Sequence, residues 1–150
     1  MSACHCTLLR KATRRLSRLY DTAVSPSGLK TTQAAILAEI HRSQPCPMGE
    51  LAEKLVMDAG ALAHTLKPLE RDGYVAVETD GRDRRTRLIS LTAAGREKMT
   101  ETQKLLADAH RSFEAAFGAG GSQALREALH TLISEDFLQS FEAALPQIRR

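Results

Sequence analysis

The chain has 150 residues, 43% of them hydrophobic and 4% aromatic, with no tryptophan, three cysteines and a formal net charge of +3. That size suits one domain, or a compact lobe with helical extensions, around a core of leucine and alanine. Three cysteines exclude a disulfide framework, and no apolar run is long enough for a membrane span or a signal-peptide core, so the expected setting is a reducing cytoplasm without membrane attachment. A charge of +3 permits nucleic-acid binding without arguing for it, because the distribution of charge matters more than its sum.

From Cys4 to Ala23 there is no glycine or proline, and Cys6, Leu9, Leu16, Tyr20 and Ala23 recur at helical spacing. Arg10, Lys11, Arg14, Arg15 and Arg18 cover the rest of that helix. The basic face reads either as a solvated or ion-paired surface, or as a phosphate contact or the wall of an anionic pocket. Ser25-Pro26-Ser27-Gly28 breaks the chain. A second helix runs from Thr31 or Thr32, either of which can cap it, to about His41. Ser43 to Pro47 reads as a loop, and a short helix follows from Gly49 or Glu50 to Leu55.

A turn at Met57-Asp58 leads into a helix with Leu62, Leu66 and Leu69 on its inner side, stopping at Gly73. Asp58 stands where an N-cap belongs. Gly60 and Ala61 are small enough for close approach to a phosphate or base edge, and His64 and Thr65 can bond base edges. Lys67 suits a phosphate contact. His64 also reads as an ordinary solvated histidine. The helix has no arginine before Arg71 and no Asn or Gln, and Pro68 should kink or loosen its second half, so direct readout is expected to be modest and helped by DNA shape.

Tyr74–Glu78 and Thr86–Leu91 read as the two strands of a hairpin, with Arg82, Asp83, Arg84 and Arg85 at its tip. An arginine there suits a narrow minor groove, and Asp83 can hold one arginine by a charge-assisted bond; the alternative is a solvated polar turn. Helix, turn, helix and arginine-tipped hairpin, in that order, make a winged helix-turn-helix that addresses double-stranded DNA. The fold class expected is mainly α with a small β-hairpin wing.

Thr92 caps a long helix that reaches about Ala116, and Gly118 to Ser122 reads as a tight helix–helix connection. A last helix carries Leu125, Leu129, Leu132, Ile133, Phe137, Phe141 and Leu145, a stripe that suits either an inter-subunit bundle or an intramolecular core. The whole chain, 1–150, is expected to form one domain: a DNA-binding lobe at 30–92 and a helical dimerisation region at 1–24 and 93–150.

The run Leu69-Glu70-Arg71-Asp72-Gly73-Tyr74-Val75, then Asp83-Arg84-Arg85, then Leu91-Thr92-Ala93-Ala94-Gly95, resembles the MarR family of bacterial transcriptional regulators. The resemblance covers nearly the whole chain. It implies a homodimer whose first and last two helices interlock, reading half-sites about one helical turn apart on a pseudo-palindromic operator. It implies that Arg85 enters the minor groove with Asp83 orienting it. It also implies a repressor that releases DNA when a small aromatic or phenolic effector, or an oxidant, acts on the cleft between lobe and dimer interface. Where the family often has serine, threonine and arginine, this chain has Gly60-Ala61-Leu62-Ala63-His64, so the operator does not carry over.

The first helix is similar to that of the organic-hydroperoxide-sensing branch, in which tyrosine hydroxyls hold a reactive cysteine. Cys6 and Tyr20 match the cysteine and one tyrosine, while Arg10 and Thr31 fill other tyrosine positions. A thiol-based oxidant-sensing repressor using Cys6 is therefore the alternative, against an inert cysteine in the dimer interface. No metal or other cofactor is expected, because Cys4 and Cys6, two apart on a helix, point to opposite sides. The five histidines are scattered, and there is no phosphate loop, nucleophile elbow or HExxH, so the chain does not read as an enzyme. A thiol peroxidase built on Cys6 and a non-specific architectural DNA binder are the remaining, weaker readings.

Overall fold

A computed structural model describes residues 4–145; the ends of the expected dimerisation region, 1–3 and 146–150, lie outside it. The elements are α1 (His5–Val24), a 3-10 turn (Ser25–Ser27), α2 (Thr31–Ser43), β1 (Cys46–Pro47), α3 (Met48–Lys54), α4 (Ala59–Arg71), β2 (Val75–Thr79), β3 (Arg87–Leu91), α5 (Ala93–Phe117), α6 (Ala119–Leu132) and α7 (Glu135–Ala144). Residues 1–109 and 110–150 form two compact units, and their boundary falls inside α5. The first helix thus belongs to the same compact unit as the lobe.

In the first unit, α2 contributes Ile36, Leu37 and Ile40, α3 Leu51, and α4 Leu62, Leu66 and Leu69 to one buried cluster with Val75, Ile89, Leu91 and Met99. Helical spacing sets each triplet on one face. The sheet closes the cluster: β3 lies between β1 and β2, both antiparallel to it, and the register Val75↔Leu91 and Val77↔Ile89 turns these four side chains to the core.

Several local expectations are corrected. The Ser43–Pro47 loop contains the two-residue strand β1, masked in the sequence by prolines at 45 and 47 that cannot donate ladder hydrogen bonds. Its Cys46 pairs with Ile89 and is buried in the core, and desolvation raises its thiol pKa. Neither threonine caps α2: the N-cap is Lys30, whose amide bonds Gln33 Oε1 at 2.9 Å, and the Thr31 amide donates to Asp21 Oδ1 of α1 at 2.8 Å. Helix α4 runs continuously through Pro68, because a helix held by three buried leucines tolerates the loss of one hydrogen bond.

The α3–α4 turn is closed by Val56 N to Glu53 O and Met57 N to Ala52 O, which places Val56 in the left-handed region at φ 52 with its side chain 74% exposed. A β-branched residue is costly there. Val56→Gly should raise stability by about 0.5–1 kcal/mol, read as a higher urea midpoint; a lower midpoint would mean that the turn does not hold this conformation.

In the second unit, the Gly118–Ser122 connection reduces to Gly118 alone, at φ 86, and Ala119 to Ser122 are already helical. The single last helix is two helices. Ser134 breaks them, its hydroxyl accepting the Phe137 amide at 3.2 Å to start α7. Phe113 packs against Phe117 at a tilt and Phe137 stacks near Phe141, but Leu129, Ile133, Leu138, Phe141 and Leu145 stand exposed. On this single chain the apolar stripe is not a closed core.

Candidate nucleic-acid interface

Helix α4 begins at Asp58, whose Oδ1 accepts the Ala61 amide at 2.8 Å. A Cβ at Gly60 would stand 3.2 Å from that same oxygen, so glycine leaves the cap room. With Leu62, Leu66 and Leu69 inward, Gly60, Ala61, His64 and Lys67 are exposed along the outer face. Thr65 is half-buried, and its hydroxyl donates to Ala61 O at 2.9 Å, so toward a base it is chiefly an acceptor. Arg71, the one arginine of the helix, is taken by Asp72 at 2.8 Å, and that hydrogen bond lowers the Asp72 carboxyl pKa. The outer face therefore offers small apolar groups, one imidazole and one ammonium.

The wing tip is fixed by carboxylates. Asp80 Oδ1 accepts the Arg82 amide and Asp83 Oδ1 the Arg85 amide, each at 2.9 Å. Asp83 Oδ2 accepts the Thr86 hydroxyl at 3.0 Å, and the Asp80 amide donates to Thr86 O at 2.9 Å to close the loop. The expected bond from Asp83 to a guanidinium is not what forms: Asp83 holds the backbone under Arg85. Arg82, Arg84 and Arg85 are exposed, and none enters an ion pair among the described residues.

The wing is rooted on α5. Thr92 donates its hydroxyl to Gly73 O at 2.6 Å and accepts the Gly95 amide at 3.0 Å, and its own amide donates to Tyr74 O at 3.1 Å. Sequence reading found the Thr92 cap but not these cross-links, nor Asp80, Thr86 and Lys98. Asp80 and Thr86 carried a signal, as polar residues flanking a glycine-containing turn; Lys98 carried none.

Away from this surface, Cys6 is exposed and Tyr20 half-buried on α1, so on the single chain Cys6 is not a core cysteine. Cys4 precedes α1, and hydrogen bonds involving the Thr7 and Cys6 backbones lower its thiol pKa. No group of three or more His, Cys, Asp or Glu side chains that could hold a metal occurs among the described residues, and no described helix is long and apolar enough to cross a membrane.

The MarR family profile matches residues 27–86. The transcriptional activatory protein BadR of Rhodopseudomonas palustris is 36% identical over 91 residues, 59% of this chain and 52% of that protein, so the chain matches about half of that relative's length. The HTH-type transcriptional regulator SarZ of Staphylococcus epidermidis is 27% identical over 139 residues, 91% of each chain. The M. tuberculosis transcriptional regulator MosR, solved in complex with DNA, is 32% identical with a TM-score of 0.80, covering 96% of this chain and 100% of that one. The transcriptional repressor CouR, solved on a 23-mer DNA duplex, shares the fold at a TM-score of 0.80 and 23% identity, covering 87% of this chain and 93% of its own. With the winged helix-turn-helix geometry, these matches place the chain in the MarR family of transcriptional regulators.

Proposed function

We propose that the protein is a homodimeric repressor that binds a pseudo-palindromic double-stranded operator and releases it on binding a small aromatic or phenolic effector. The observation that carries the DNA-reading half is the pairing, on one lobe, of an outward α4 face with a wing whose backbone is pinned and whose three tip arginines have no ion pair among the described residues. His64, Thr65 and Ala61 face base edges in the major groove, with Gly60 giving close approach and Lys67 taking a phosphate. Arg85 enters the adjacent minor groove, with Arg82 and Arg84 on the backbone. Dimerisation is supported by Leu8, Leu9 and Leu19 of α1 and Leu129, Ile133, Leu138 and Phe141 of α6 and α7, all exposed on the single chain.

The test is fluorescence anisotropy on DNA from directly upstream of the protein's own gene, with excess unrelated competitor, in reductant and after a hydroperoxide. Tight, competitor-resistant binding supports the reading. Binding with no preference over competitor, on this DNA and on genomic fragments alike, would reduce the protein to an architectural binder.

The exposure of Cys6 favours one second reading, a thiol trigger. A hydroperoxide would oxidise the Cys6 thiol to a sulfenic acid and itself be reduced to an alcohol or water. Cys6→Ser should then keep its operator affinity but no longer release DNA on peroxide treatment. Release that persists in this variant removes Cys6 from the trigger.

A further inference from the structure

Lys98 is a surface-type residue placed as if it were internal. Its side chain is 19% exposed, and beyond its own helix it reaches two segments far apart in sequence. The ammonium donates to Ser27 O at 3.0 Å and to Glu101 Oε2 at 2.7 Å, and lies 5.7 Å from the centroid of the Tyr74 ring. Ser27 ends the 3-10 turn that joins α1 to α2 and is itself buried. Tyr74 is the wing root, bonded through its carbonyl to the Thr92 amide. One cation thus ties the end of α1 and the base of the wing to α5. The Glu101 hydrogen bond raises the lysine's pKa and keeps it charged.

The contacts are of a kind that transmits position. The bond to Ser27 O is charge-assisted and directional, and it serves the carbonyl of the one buried residue of that turn. Contact with the tyrosine ring adds a cation–π attraction. The joint has a second tie, Asp21 of α1 capping the Thr31 amide of α2, but that one does not touch the wing. Lys98 adds a polar tie between the α1–α2 joint and the wing root to the buried cluster that the two segments share.

We propose that Lys98 is a positioning residue that sets the separation of the two reading heads by fixing each winged lobe to the helix carrying its dimer contacts. The inference rests on the proposed DNA-reading dimer. In such a dimer α1 carries dimer contacts and shares one compact unit with the wing, so a loosened joint within that unit lets the wing swing relative to α1. A swing costs affinity for the correct half-site spacing and relaxes the penalty for wrong spacings. One base pair changes half-site separation by about 3.4 Å and its bearing by about 35°, which a rigid pair of heads cannot follow.

The experiment first enriches binding sites from random duplex DNA with the wild-type full chain. It then measures affinity for the selected site and for versions with the half-sites one or two base pairs closer or farther apart. Wild-type protein should lose about tenfold or more per base pair of misplacement. Lys98→Met should bind the selected site about tenfold more weakly and lose under about threefold on respacing. Lys98→Arg should keep the wild-type profile, because a guanidinium can also donate to Ser27 O. Glu101→Gln, which leaves the ammonium in place without its carboxylate, should fall between, and it keeps the question open to test if Lys98→Met unfolds. The salt dependence of binding should not change in any variant, whereas loss of a direct phosphate contact would lower its slope by about one. A Lys98→Met protein that is folded and respects spacing as wild type does would overturn the proposal, as would a lowered salt slope. If the wild-type chain enriches no sequence, the DNA reading itself fails, and the inference falls with it.

Discussion

Replacing Gly95 by alanine is expected to destabilise the protein by about 3 kcal/mol, toward the top of the range for overpacking. A Cβ at this position would stand 2.0 Å from Tyr74 O, 2.9 Å from Tyr74 C and 3.3 Å from Tyr74 Cα. All three are backbone atoms, so no rotamer change can relieve the clash. The backbone they belong to is also fixed: Tyr74 O accepts the Thr92 amide, and Thr92 is bonded to both Gly73 O and the Gly95 amide. Relief would have to come from sliding the first turn of α5 off the wing root, which exposes Leu91 and Met99. For a chain of this size the loss should appear as a melting temperature roughly 6–12 °C lower, together with weaker DNA binding because the wing shifts. A Gly95→Ala protein within 1 kcal/mol of wild type in urea would show that α5 and the wing root do not meet this closely. The Leu91-Thr92-Ala93-Ala94-Gly95 run therefore has a physical reason: a buried side chain, a cap that reaches two ways, and a site with no space for a side chain.

How legible each element was follows from how local its cause is. Helix α4 could be read because its cap, its leucine spacing and its terminating Gly73, at φ 77, lie within sixteen residues of each other. The hairpin could be read from alternation and an arginine-rich turn. Strand β1 could not, since Cys46 and Pro47, just after Pro45, become a strand only because β3, some forty residues later, offers a partner. The break at Ser134 was obscured because the apolar stripe continues in phase across it, and periodicity does not register one capping serine. At the site, the residue types on α4 and the wing were readable, but their partners were not. Asp83 looked like a guanidinium partner and is a backbone clamp, Thr65 looked able to donate or accept at a base edge and donates to its own helix, and Lys98 gave no sign of its three contacts.

Arg85→Ala is expected to weaken operator binding by about tenfold or more, about 1.4 kcal/mol or above, while leaving the proposed dimer intact by size-exclusion chromatography. The tip makes this prediction sharp because backbone and side chain are separately provided for. The Arg85 amide is held by Asp83 Oδ1 and the adjoining Thr86 by Asp83 Oδ2 and by Asp83 O, so the loop keeps its shape when the guanidinium is removed. The guanidinium has no ion pair among the described residues, so its removal leaves no buried partner unsatisfied and should not lower the melting temperature. On the proposed reading, what is lost is a cation at the end of a rigid lever, placed where a narrow minor groove concentrates negative potential. Arg85→Lys should recover only part of the affinity, because an ammonium is more strongly hydrated and enters a narrow groove at greater desolvation cost than a planar guanidinium. Equal affinity for wild type and Arg85→Ala on the same operator would take Arg85 out of the interface. Equal loss in the alanine and lysine variants would keep Arg85 there and show that the groove selects the shape of the arginine as well as its charge.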